Sequence, residues 1–313
     1  MPLPTDERLL TLAQTLLAQF HAIFGPQPGF RPAHAKGALV KGTFTPSPNA
    51  ASLTRAPHIL RESVPVTVRF SDSTGIPQIP DTDPNARPWG CAVRFFLAER
   101  SHTDIISHSV DAFPTHTGDD FLELLRAIAA TKPDSPHPNP VETFLGSHPA
   151  ALAFVQAPKP FPASFANENF FAITAFRFTN KDGVSRYGRY RILPVAGTSY
   201  LDEADVATKG PNFLFDEVTD HLKSGPIQFR LVVQLAEPED TVDDATIHWP
   251  ESRTLFELGT ISLTERVADD AAEQKHLIFD PIPRIDGIDP SDDPLLELRA
   301  ALYLLSGRER RSA

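Results

Sequence analysis

No strand-helix-strand period runs through this chain; stretches with strand character fall into two groups on either side of a helical pair. Residues 64–71, Val-Pro-Val-Thr-Val-Arg-Phe-Ser, alternate and are β-branched, and 91–97 and 104–110 are two further strand candidates. Residues 117–132 and 141–155 have helical spacing, the first with Thr117 and Asp119 near its start. More strands are predicted at 170–178, 186–193, 227–235 and 254–263, with a short helix at 213–222. A doubly wound parallel sheet needs a crossover helix between successive strands, so this order argues against it. The pattern predicts an α+β fold around a mainly antiparallel sheet or barrel.

The ends are helical. Leu9, Leu12, Leu16, Phe20, Ile23 and Phe24 recur at helical spacing, so 5–24 reads as an amphipathic helix ended by Gly25-Pro26. Residues 33–44 turn to a strand pattern broken by Gly37 and Gly42. Near the other end, a loop at 281–294 leads into an apolar helix at 294–306. The 31 prolines favour long shaped loops over long helices.

Charge and cysteine content narrow the function. A net charge of -11 with no long basic run argues against nucleic acid, because phosphate binding needs clustered Lys and Arg, so a small-molecule substrate is expected. The one dense basic cluster, Arg308, Arg310 and Arg311, reads by default as a solvated tail. Cys91 is the only cysteine, which excludes an intramolecular disulfide and a Cys-based zinc site. The start of the chain lacks a secretory pattern and no apolar run approaches the roughly 20 residues of a membrane span, so a cytoplasmic location is expected.

Four separated segments carry the chemistry: Arg31-Pro-Ala-His34-Ala-Lys-Gly37, Val68-Arg69-Phe70-Ser71, the stretch from Arg87 to Phe95, and Arg299-Ala-Ala-Leu-Tyr303. Taken singly, each has an ordinary explanation, such as a histidine bonded to backbone or a surface Arg-Tyr pair one turn apart. Together, in this order, they resemble the haem catalase family. The resemblance implies a catalase-like antiparallel β-barrel with surrounding helices and a haem pocket closed by the C-terminal helix. It makes Tyr303 the ligand of ferric iron in haem b. A phenol of pKa about 10 must lose its proton to ligate iron, and Arg299, one turn earlier on the same face, supplies a cation that favours the loss.

On the other haem face the resemblance makes His34 the acid/base that moves the hydroperoxide proton during heterolysis, with Ser71 fixing its ring. It makes Arg31 and Arg69 partners of the haem propionates and lines the pocket with Phe113. Arg310, seven residues after Tyr303, falls where the family has a third such arginine. His108 stands where the family has an asparagine. An imidazole donates only from its protonated nitrogen, so peroxidase activity is expected to change between about pH 5 and 8. Pro114 replaces a second aromatic, and Arg87 replaces a channel aspartate, which would reverse the channel's field.

The chain ends just after the ligand helix, so it is read as one domain, 1–313, with an N-terminal helical segment 1–24 and without the C-terminal domain of full-length catalases. The nearer resemblance is thus to the catalase-related peroxidase, or minimal catalase, branch. The implied function is reduction of hydrogen peroxide or organic hydroperoxides by a small organic reductant, with weak catalase activity. A homo-oligomer is compatible with it. The competing readings are a fatty-acid hydroperoxide-rearranging enzyme similar to allene oxide synthase, separated by its products, and a haem-binding protein without turnover, favoured if Ser71 and His34 turn away from the iron.

Overall fold

A computed structural model describes residues 3–313, so positions 1 and 2 of the segment 1–24 lie outside the described residues. The helices are α1 (Glu7–Phe24), α2 (Gly118–Ala130), α3 (Pro140–Ser147), α4 (Pro149–Gln156), α5 (Glu203–Ala207), α6 (Phe213–Ser224), α7 (Asp270–His276) and α8 (Leu295–Ser312). The strands are β1 (Gly37–Pro46), β2 (Val64–Ser71), β3 (Gly90–Ala98), β4 (Ser101–His108), β5 (Phe161–Pro162), β6 (Phe170–Phe171), β7 (Phe176–Thr179), β8 (Ser185–Pro194), β9 (Tyr200–Leu201), β10 (Ile227–Leu235), β11 (Leu255–Arg266) and β12 (Ile288–Pro290).

Eight strands, in the order β10-β11-β1-β2-β3-β4-β6-β8, close on themselves through the β10–β8 pairing, every pairing being antiparallel. Alternation sends Phe70 inward, where it stacks on Phe165 with centroids 5.0 Å apart, and Trp89 meets Phe165 edge-on at 5.9 Å. Burying each such side chain contributes about 1.5–3 kcal/mol. Closure also leaves the barrel without a free edge. A polar ring is also caught in this core. His58 is 1% exposed between Phe44 and Phe95, and neither ring nitrogen has a partner. Burial pulls its pKa down to about 4.

Outside the barrel, α1, α2 and α8 share an apolar seam of Leu16, Phe20, Leu122, Leu125, Leu298 and Ala301. Asp6 caps α1, accepting from the backbone of Arg8 at 2.8 Å, and Thr117 caps α2. Asp293 accepts the Leu295 amide at 2.9 Å at the start of α8.

The predicted architecture holds, with local differences. The predicted strand 170–178 is two strands, because residues 172–175 stand opposite only Arg189 and Tyr190 of β8. The predicted helix 141–155 breaks at Pro149, which has no N–H to continue the ladder. The last helix runs on to Ser312, so Arg310 is a helix residue with 4% exposure and not part of a solvated tail. No helix of the described residues is long and apolar enough to cross a membrane.

Candidate active site

A cavity lies between the outer face of β2–β4 and α8, with α1 and residues 277–279 closing its flanks. About 290 Å³ is open to the centres of water-sized molecules, against the roughly 10–15 Å³ that one water needs. The wall is largely apolar, with Phe113, Phe121, Ile173, Leu298 and Leu302 among its residues. His34, Ser71, His108, Arg31, Arg69, Phe113, Arg299, Tyr303 and Arg310 all line it.

Register explains the convergence. Gly37 pairs with Ser71, Ser71 with Gly90, and Gly90 with His108, so one row across four strands carries two of the polar side chains. A Cβ on Gly90 would meet the Ser71 hydroxyl and lie 3.0 Å from His34 Nδ1. The missing side chain is what lets the His34 ring lie against the sheet. Gly90 was not singled out from sequence, although a glycine in a strand pattern is a sign of close approach.

His34 adopts φ 56, in the left-handed region, which for a side chain other than glycine costs roughly 1–3 kcal/mol. Its amide and that of Ala35 are held by the carbonyls of Ser73 and Thr74, at 3.3 and 2.8 Å. The ring nitrogen Nδ1 lies 3.1 Å from Ser71 Oγ and closer still to the Asp72 carbonyl oxygen. A carbonyl only accepts, so Nδ1 carries the hydrogen and Nε2 carries a lone pair. Burial, and after it the charge of Arg69, lower the His34 pKa to about 4, which keeps the ring neutral, with the Nε2 lone pair unprotonated, at neutral pH. Asp72 was missed from sequence. Its carboxyl is buried with no partner for either oxygen, and burial raises its pKa to about 8.

His108 has the opposite arrangement. Its Nδ1 accepts the Val110 amide at 3.4 Å, leaving the hydrogen on Nε2. Burial, and after it the nearby His34, depress its pKa to about 3. The ring is therefore a neutral donor throughout pH 5 to 8, and the expected change of activity in that range is not supported as a property of His108.

Across the cavity, Arg299 Nε donates to Tyr303 Oη at 3.1 Å, with the guanidinium 5.6 Å from the ring centroid. A cation beside a phenol oxygen is the setting that a metal-ligating phenolate requires. Arg31, Arg69 and Arg310 also line the cavity, and among the described residues none has a carboxylate ion pair. Arg31 and Arg310 both donate to the Leu277 carbonyl, at 2.9 and 2.8 Å, while Arg69 donates to Gln274 Oε1 at 2.7 Å and the His34 carbonyl at 2.8 Å. Burial is the main cause of their depressed pKa values, with mutual repulsion adding for Arg31 and Arg69; Arg69 and Arg310 fall to about 10. Desolvated guanidiniums without a direct carboxylate partner are costly, and a flat apolar group with two carboxylates would satisfy them. The residues present therefore fit haem.

Arg94 pairs with Asp104 across β3 and β4, at 2.8 and 2.6 Å, and also donates to the Ile278 carbonyl, which fixes the 277–279 wall. Arg87 does not line the cavity. Its guanidinium lies 4.3 Å from the Phe161 centroid and donates to the carbonyls of Pro84 and Lys159, so the expected reversal of the channel's field has no support here.

A closed antiparallel barrel, with a tyrosine on a covering helix and a neutral histidine in the wall of one apolar, arginine-lined slot, makes a site whose residues would suit a haem oxidoreductase. The catalase family's sequence profile matches residues 27–313, and the chain belongs to that family, whose members are haem-dependent oxidoreductases acting on peroxide. It is 36% identical to a catalase-related peroxidase of Mycolicibacterium paratuberculosis over 91% of this chain and 90% of that protein. It is 30% identical to one of Synechococcus elongatus, over 94% and 87%. The fold is that of a fungal catalase crystal structure, with a TM-score of 0.81 at 20% identity; the match covers all of this chain and 64% of that one.

Proposed function

We propose that the protein binds haem b with ferric iron through Tyr303 and reduces hydrogen peroxide or organic hydroperoxides with a small organic donor, releasing little oxygen. The observation that carries this reading is the opposition, in one apolar cavity, of Tyr303 with its Arg299 partner and a neutral His34 with a free Nε2. Arg31, Arg69 and Arg310 would hold the propionates, and Phe113 would pack on the ring.

Bound there, haem supplies the two-electron chemistry of O–O cleavage. His34 Nε2 takes the hydroperoxide proton and returns it to the departing oxygen, a role worth about 100-fold or more. Ser71 and the Asp72 carbonyl hold that ring in its reactive tautomer. His108 Nε2–H orients the peroxide, standing in for an amide donor. The apolar wall excludes water and suits an organic hydroperoxide or donor. Because Ser71 and His34 share the cavity with Tyr303, a haem-storage role is disfavoured, and the relatives' names do not favour hydroperoxide rearrangement. A single domain over 1–313 and a cytoplasmic setting belong to the same proposal. The test compares oxygen release from peroxide alone with oxidation of an aromatic donor at equal enzyme and peroxide. Oxygen release at the rate of a full-length catalase without donor oxidation would refute it.

A further inference from the structure

The register row that carries Ser71 and His108 does not stop there. His108 of β4 pairs with Phe171 of β6, and Phe171 pairs with Arg191 of β8. The Arg191 guanidinium lies 4.8 Å from the Phe171 ring centroid, so it reaches back across that ring. It meets Asp111, three residues after His108, through both nitrogens: Nη2 donates to Oδ2 at 2.8 Å and Nη1 lies 2.6 Å from Oδ1. Arg191 also donates to Gln234 Oε1 at 2.5 Å, and its side chain is only 5% exposed. The chain leaving β4 is thus turned back over Phe171 and tied to a strand two places away. A second tie follows, where the Phe113 amide donates to the Ala245 carbonyl at 3.0 Å.

Inside this closed turn sits the Val110 amide, which donates to His108 Nδ1. At 3.4 Å that bond is at the long limit. It is the only hydrogen bond to His108 Nδ1 among the described residues. A neutral imidazole has two tautomers, and the bond at one nitrogen decides which nitrogen holds the hydrogen. The placement of the Val110 amide, and hence of the 109–112 turn, therefore sets what the far side of the ring offers to the cavity.

We infer that the Asp111–Arg191 ion pair is a positioning device that holds the Val110 amide against His108 and keeps the hydrogen on His108 Nε2. The inference rests on the donor role of His108 in the proposed function, and its test separates the two. Neither Asp111 nor Arg191 lines the cavity, so both act through His108.

The variants are Asp111→Ala and the double variant Asp111→Ala/Arg191→Met; the second leaves no buried guanidinium stranded and so keeps the fold stable. The tautomer is read from the 15N spectrum of the histidine rings in protein loaded with diamagnetic gallium protoporphyrin, His108 being assigned by its loss in His108→Gln. Peroxide turnover is measured on the haem-loaded protein. The expected result in both variants is a mixture of His108 tautomers, with turnover lower by about 10–100-fold, the scale for lost support of a functional ligand. A His108 ring that keeps its Nε2–H form in the double variant overturns the inference, whatever the rate. A tautomer mixture at unchanged turnover upholds the positioning and overturns the role given to His108 in peroxide reduction.

Discussion

His34 and His108 face one cavity in opposite tautomers. The carbonyl of Asp72 takes the Nδ1 hydrogen of His34, whereas the amide of Val110 occupies Nδ1 of His108. One ring offers a lone pair and the other a hydrogen, and burial holds both neutral.

Replacing His34 with Ala should leave haem bound and slow the reaction with peroxide by about 100-fold or more. Stopped-flow mixing of the haem-loaded variant with peroxide measures it. A wild-type rate would move the base to another residue.

Tyr303→Phe removes the proposed iron ligand but no core contact of the barrel. Haem should be lost or bound with an altered absorption spectrum, while far-ultraviolet circular dichroism stays the same. Normal haem retention with an unchanged spectrum would refute the ligand assignment.

Arg31→Met should act in opposite directions on two quantities. The haem-free protein loses a half-buried cation that has no direct carboxylate partner and should become more stable, seen as a higher melting temperature. Haem binding should weaken by roughly tenfold or more, since a charge-assisted hydrogen bond contributes about 1.5–3 kcal/mol. Weaker haem binding with no gain in the haem-free form would mean that Arg31 is stabilised by its contacts to the protein alone.

His58 makes stability fall with pH. Its folded pKa of about 4 lies below the ordinary value of about 6.5, so the unfolded chain takes up the proton first. The contribution is fully present above pH 6.5 and is lost as pH falls towards 4, on the order of 3 kcal/mol in all. His58→Leu should flatten urea-derived stability between these pH values, relative to wild type. An identical slope in the two proteins would assign the acid sensitivity elsewhere.

Sequence made the barrel and its site legible to different degrees. Alternation and turn residues located the long strands, because packing on one face imposes a period of two. It did not separate β6 from β7, since the four-against-two mismatch with β8 is a property of pairing and not of the strand itself. The motif residues around His34, Arg69 and Tyr303 do come together in one cavity. Asp72 escaped notice because it contributes a backbone carbonyl, which any residue type can supply. Arg87 illustrates the reverse case: its position along the chain suggested a channel, yet its long side chain lies over Phe161 instead.

The row through Gly37, Ser71, Gly90, His108, Phe171 and Arg191 also bears on how such a protein can change by insertion and deletion. Side chains on a strand alternate with a period of two, so one residue added within β4 would put Ser107 in the place of His108 opposite Gly90. Ser107 now spends its hydroxyl on the Cys91 carbonyl at 2.6 Å. The same slip would carry the proposed peroxide donor away from the cavity while leaving the hydrophobic composition untouched. Length variation among relatives should therefore collect in the connections, for example between α2 and α3, and be missing from the strands that this row crosses.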